Sequence, residues 1–237
     1  MNPAPRAKTV TWLAPADDSA WFPPLEQALD EPNGLLAAGG DLSPRRVLAA
    51  YRRGIFPWYS PGQPVLWWSP DPREVLEPQR FHHNRSLAKA IRKRGLQITF
   101  DRAFEAVLDA CAAPRRYSPG TWITAEMRAA YLELHRLGAA HSVETWRNGQ
   151  LVGGVYGVLQ GALFFGESMF SREPDGSKAA LAGLARRAVT TGCALIDCQL
   201  ASPHLRRLGS RSLPRREFIA RLDELVQAPT ATTFASA

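Results

Sequence analysis

The stretch from His141 to Phe170 constrains the fold of this 237-residue chain more than any other. It reads as three strands in series: His141 to Arg147, Gln150 to Leu159 and Ala162 to Phe170. Asn148-Gly149 joins the first two, a dipeptide that suits a two-residue hairpin because both turn positions require positive φ. Gln160-Gly161 joins the second and third. A meander this apolar has to bury a face against another layer, and segments with helical spacing lie on both sides of it. Arg85 to Arg94, Phe104 to Ala113 and Ala125 to Leu137 read as helices before it, with a strand at Leu96 to Phe100. After it come a helix at Ser177 to Thr191, a buried strand at Ala194 to Leu200 and a helix at Pro214 to Gln227. This order predicts an α+β fold with a mostly antiparallel sheet. The residues from Thr230 to Ala237 read as a frayed tail.

The N-terminal third differs in character. Leu42 to Gly54 predicts a helix with Ser43 as its cap, Pro44 in its first turn and Gly54 as its stop. Val47, Leu48, Tyr51 and Ile55 form its apolar face. Beyond it, Pro57, Pro61, Pro70 and Pro72 argue against a helix or a central strand. Trp58, Tyr59, Trp67 and Trp68 fall in the same stretch. A segment stiffened by proline and loaded with aromatics is a wedge between domains or the wall of a pocket, and the two readings are compatible.

Composition excludes several classes. No apolar run reaches membrane-spanning length, and the polar N-terminus lacks a signal-peptide core, so no membrane partner is expected. Cys111, Cys193 and Cys198 are far apart and form no CxxC, which suits a reducing cytoplasm and predicts neither disulfides nor a metal site. The net charge is +7, and 25 of the 29 cationic residues are Arg. Arginine's planar fork suits phosphate, although a GC-rich genome also enriches arginine. A cofactor pyrophosphate would need a glycine-rich loop at a helix start. The nearest candidate, Arg206 to Arg211, ends in Arg and falls after the late strand. With no GxGxxG, Walker or GxSxG pattern either, no cofactor is expected.

Seven strings carry a resemblance. They are Gly34 to Leu42 (GLLAAGGDL), Ala50 to Trp58 (AYRRGIFPW), Trp67 to Arg73 (WWSPDPR), Gly120 to Thr124 (GTWIT), His141 to Glu144 (HSVE), Gly166 to Ser171 (GESMFS) and Leu195 to Gln199 (LIDCQ). In this order, spanning roughly residues 20 to 225, they resemble the bacterial leucyl/phenylalanyl-tRNA–protein transferases. The resemblance implies a small N-terminal α+β domain over residues 1–71 and a GNAT-like aminoacyltransferase domain over 72–237 that uses no acetyl-CoA. It implies transfer of Leu or Phe, with Met a further donor, from aminoacyl-tRNA to the N-terminal Arg or Lys of a protein, marking that protein for degradation. A cytoplasmic monomer is expected. Pro114 to Pro119 is longer and more basic than the family's version of that loop.

Joining an activated ester to an amine is downhill, so positioning supplies much of the acceleration. The α-amine, with a pKa of roughly 8, is largely protonated at neutral pH. Asp197 and Gln199, two apart on one strand, are expected on one face, and the resemblance makes them the catalytic pair. Whether Asp197 takes the proton or only orients the amine is open at this level. The resemblance adds Glu167, for the basic acceptor residue; by residue type alone, such strand-end acids are as readily solvated caps. Tyr51, Trp58, Trp122, Tyr131 and Phe164 match the family's aromatic positions for the aminoacyl group and terminal adenosine, with Val155 and Leu184 as further walls. By residue type alone these read as core at least as readily. Arg85, Lys89, Arg92 and Lys93, with Arg94, crowd one short helix; by residue type alone they read as a solvated charged face, and the resemblance makes them the expected tRNA grip. Arg206, Arg207, Arg211, Arg215 and Arg216 form a second basic cluster. Two other readings remain at this level: an acetyltransferase with unconventional coenzyme binding, and a non-catalytic RNA-binding protein.

Overall fold

The computed structural model describes residues 8–15, 20–82, 85–114, 121–229 and 234. In chain order the elements are β1 (Thr11–Leu13), β2 (Leu35–Gly39), α1 (Pro44–Tyr51), β3 (Phe56–Pro57), β4 (Leu66–Trp68), β5 (Arg73–Leu76), α2 (Arg85–Arg94), β6 (Gln97–Phe100), α3 (Phe104–Ala112) and α4 (Ala125–Arg136). Then follow β7 (Ala140–Arg147), β8 (Gln150–Gln160), β9 (Leu163–Ser171), α5 (Gly176–Thr191), β10 (Leu195–Gln199), α6 (Pro203–Arg207), β11 (Arg211–Leu213) and α7 (Arg215–Leu225). Two sheets result. The smaller has the order β1-β2-β4-β3, and the larger β11-β5-β10-β9-β8-β7-β6. The larger is antiparallel throughout except where β10 runs parallel to β9. The α+β reading with a mostly antiparallel sheet therefore holds.

The local signals that worked did so for visible reasons. Ser43 caps α1 by accepting a hydrogen bond from the Arg46 backbone N–H at 3.4 Å. The β7–β8 turn places Asn148 at φ +50° and Gly149 at φ +74°, as a hairpin of this kind demands. The proline-rich segment departs from expectation. β4 is a central strand, because the prolines fall around it and in the edge strand β3 rather than within it. Its Trp67 is fully buried, and the indole N–H donates to the Gly39 carbonyl at 2.9 Å. Within the expected frayed tail, Phe234 departs from expectation, since it is only 1% exposed, and the rest of residues 230–237 lies outside the described residues.

One apolar core runs through both sheets. It joins Leu36, Val47, Tyr51, Phe56 and Trp67 of the first half to Met127, Tyr131, Phe165, Phe218 and Leu222 of the second. A second core lies on the other face of the large sheet, where α5 covers it through Ala180, Leu181, Leu184 and Ala188. Gly54 shows how tightly the halves meet. Its φ is +70°, and a Cβ there would lie 2.6 Å from Ile219 Cδ1 on α7.

Candidate active site

The site opens where the larger sheet's one parallel pair comes apart. The β9–β10 register runs from Leu195 opposite Leu163 to Asp197 opposite Phe165 and stops. Just past that point both strands become irregular. The β8–β9 ladder slips between Tyr156 and Gly157, leaving Glu167 as the extra residue, and the β10–β5 ladder slips between Asp197 and Gln199. Bulges of this kind bend a strand and re-aim its side chains. The gap is a cavity of about 260 Å³ lined by Gly166, Glu167, Ser168 and Met169 on one bank and Ile196, Asp197, Cys198 and Gln199 on the other. Val155, Leu181, Leu184, Leu205 and Trp122 complete its walls. One end is apolar; the other carries a carboxylate and an amide.

The polar end is held from behind by a closed chain of contacts. Arg73 donates from Nε to Asp197 Oδ1 at 2.8 Å and from Nη2 to Oδ2 at 2.6 Å. Its Nη1 donates to the Gly54 carbonyl at 3.0 Å. The guanidinium lies 4.8 Å from the centres of both the Phe56 and Phe218 rings. Asp197 also accepts the Gln199 backbone N–H at 2.9 Å, which pins Gln199 at φ +62°. The amide Nε2 of Gln199 then donates to Glu167 Oε1 at 3.0 Å. Tyr131 Oη donates to Glu167 Oε2 at 2.6 Å and lies 2.7 Å from Tyr51 Oη. Tyr51 belongs to α1, whose end returns to Gly54, so the ring closes across both halves of the chain.

This geometry changes what the strand pattern suggested for Asp197 and Gln199. Both line the cavity, but their side chains are held by different partners. The left-handed backbone at Gln199 ends the strand's alternation, so Asp197 turns back to Arg73 while Gln199 turns to Glu167. Arg73 and Asp197 are both fully buried. The oxygens of Asp197 accept from three N–H donors.

Glu167 is a half-buried titratable group on the cavity wall. Burial raises its pKa to about 7; Tyr131 and Tyr51 oppose that through hydrogen bonds to the carboxylate, while the negative Asp197 adds to the rise. Burial and the neighbouring Glu167 hold the Tyr131 and Tyr51 phenols well above their ordinary range. Both tyrosines therefore remain O–H groups near neutral pH. Burial pushes the Cys198 thiol up as well, with Asp197 and Glu74 contributing, so it stays protonated.

The other expected residues distribute unevenly. Trp122, Val155 and Leu184 line the cavity. Tyr51 and Tyr131 lie behind it, and Phe164 is fully buried one layer away, in the core that also holds Val155, Leu184 and Ile196. Trp58 does not line it; the residue is 43% exposed and its ring packs edge-on against Trp68 at 5.6 Å. Arg85, Lys89, Arg92 and Lys93 are exposed on α2. Much of the second basic cluster is occupied internally, with Arg211 on Glu77 at 2.7 Å and Arg215 on the Ser69 carbonyl at 2.5 Å. The basic loop around Arg115 and Arg116 lies outside the described residues. Arg73 is the residue the sequence reading did not single out, although it closes one of the seven strings. Among the described residues no cluster of metal-ligating side chains occurs, and no helix is long and apolar enough to cross a membrane.

Comparison with known proteins fixes the class: the protein is an aminoacyltransferase. Residues 75–223 match the family described as leucyl/phenylalanyl-tRNA protein transferase, and residues 40–71 match that family's N-terminal domain. The leucyl/phenylalanyl-tRNA–protein transferase of Pseudomonas entomophila is 56% identical over 225 residues, 95% of this chain and 99% of the relative. That of Azotobacter vinelandii is 60% identical over 201 residues, 85% of this chain and 89% of the relative. The chain belongs to the leucyl/phenylalanyl-tRNA–protein transferase family. Among solved structures, a GCN5-related N-acetyltransferase from Kribbella flavida overlaps 68% of this chain and 57% of its own at 15% identity and a TM-score of 0.39. L-PGS from Bacillus licheniformis overlaps 70% and 53% at 10% identity, with the same TM-score. Overlaps this partial carry nothing about activity.

Proposed function

We propose that this protein moves Leu or Phe from aminoacyl-tRNA to the N-terminal Arg or Lys of acceptor proteins, which marks them for degradation. The observation that carries this reading is the cavity: a small apolar slot whose one polar end is a half-buried carboxylate–amide pair. The apolar walls take the donor side chain. Gln199 spends its Nε2 on Glu167, which leaves its Oε1 to accept from the incoming amine. Glu167, poised near neutrality, attracts the acceptor ammonium and takes its proton. The amine nitrogen then bonds to the ester carbonyl carbon, the carbon–oxygen bond to the tRNA ribose breaks, and the departing ribose oxygen takes up the second proton that the nitrogen sheds, leaving as a hydroxyl. Arg73 and Asp197 touch no reactant in this scheme and hold Gln199 in place. Residues 1–71 form the small N-terminal unit and 72–237 the transferring one, with Arg73 reaching back across the junction.

Discharge of Leu-tRNA tests this directly. Adding a peptide that begins with Arg should speed loss of the ester many-fold, and an acetylated copy of the peptide should not. Equal rates with both peptides would refute amine transfer. Measurable heat on titrating acetyl-CoA would instead favour an acetyltransferase.

Helix α2 supplies the tRNA grip in this reading. Replacing Arg85 and Lys89 with Ala should weaken tRNA binding and reduce the slope of log affinity against log salt by about one for each phosphate no longer neutralised. Filter binding across a salt series measures this, and an unchanged slope would move the grip elsewhere.

A further inference from the structure

Phe234 lies eleven residues past the end of the family match at residue 223, yet it is 1% exposed. Its ring stacks on Phe164 with centres 5.4 Å apart and an 18° interplanar angle. It meets Phe100 edge-on at 6.2 Å and His141 at 5.2 Å. Its carbonyl accepts from Arg187 Nε on α5 at 3.2 Å, and that guanidinium lies over Phe100 at 5.1 Å. Phe234 is thus fastened to the sheet face that α5 covers.

The place it occupies adjoins the cavity. Across that face Ile196 pairs with Phe164, and His141 pairs with Gly157. Gly157 has no side chain to fill its position, and the Phe164 ring lies over it, since a Cβ there would come within 2.5 Å of Phe164 Cε1. Val155 sits two residues along the same strand, so its side chain emerges on the same face about 7 Å away. Val155 and Ile196 are cavity walls. Phe164 therefore packs behind the walls that Val155 and Ile196 form, and Phe234 stacks on its far side.

We propose that Phe234 is a positioning residue that sets the depth of the aminoacyl slot through Phe164, and so tunes selection between Leu and Phe. This rests on the transfer reading above. In a packed interior a side chain stays in place because its neighbours leave no room. Without Phe234, the Phe164 ring can tilt into the vacated volume and lengthen the slot, which favours the longer donor side chain over the shorter.

The test compares kcat/KM for Leu-tRNA and Phe-tRNA, with an Arg-initiated peptide as acceptor, in the parent protein, F234A and F234L. F234A should raise the Phe-to-Leu ratio about tenfold, within the range that a methylene-scale change in an apolar pocket produces. F234L should raise it less. If thermal unfolding shows that F234A does not fold, F234L carries the comparison. A ratio within twofold of the parent's, or equal loss of both donors, would overturn the proposal. Absence of any transfer by the parent protein would instead refute the proposed function.

Discussion

Asp197→Ala is expected to cut transfer at least about a hundredfold, the scale of a small misplacement of reacting groups, while tRNA binding stays near that of the parent. It should also lower the unfolding free energy by about 3–5 kcal/mol, because it strands a buried cation without its partner. The physical reason is the bidentate pair with Arg73, in which both side chains are fully buried. Arg73→Met should behave alike, stranding the anion. The double variant Arg73→Met with Asp197→Leu separates the two effects. Replacing a buried ion pair with apolar side chains of similar volume is often neutral or stabilising, so stability should return. Transfer should not, because Gln199 loses the acceptor for its backbone N–H and with it the constraint at φ +62°. Urea unfolding and single-turnover transfer on all three variants make the comparison. Recovery of transfer in the double variant would remove the anchoring role.

Glu167→Gln has the second large effect. It removes the proton acceptor while keeping the side chain's size, so a loss of about a hundredfold or more is expected, the low end of general-base contributions. The pH profile is diagnostic. In the parent, transfer should rise as Glu167 ionises near 7 and gain nothing further as the acceptor amine, whose proton Glu167 takes, ionises near 8. In the variant only the amine's ionisation should remain. Stability carries its own signature. Because the folded-state pKa of Glu167 lies above its unfolded value, the protonated carboxyl stabilises the fold fully below about pH 4.5. That contribution is lost as pH rises through about 7. Glu167→Gln should flatten this decline in the melting temperature between pH 5 and 7. A parallel decline in parent and variant would assign it to another group.

Much of the fold is legible in the sequence because its signals are local. The Asn148-Gly149 turn, the Ser43 cap and the helical spacing of Arg85 to Arg94 each specify an element without reference to distant residues. β5 is hidden for the opposite reason. Its sequence is Arg73-Glu74-Val75-Leu76, and two adjacent charges argue against a strand buried at every position. They are tolerated only because Asp197 answers Arg73, while Ser210 and Ser212 donate to Glu74 at 2.5 and 2.6 Å. Those partners are more than a hundred residues away. The site shows the same divide. Asp197, Gln199 and Glu167 stand out through strings of neighbouring residues, but the part each plays depends on two bulges that alternation does not encode. Phe234 follows the same logic: nothing in Thr233-Phe234-Ala235 announces that Phe100, His141 and Phe164 will enclose its ring.

The most direct test of the central claim is incorporation of labelled Leu from Leu-tRNA into three peptides that differ only in their first residue, Arg, Lys or Asp. The cavity and its carboxylate–amide end predict label on the Arg and Lys peptides and little on the Asp peptide. Equal labelling of all three, or none of any, would contradict it.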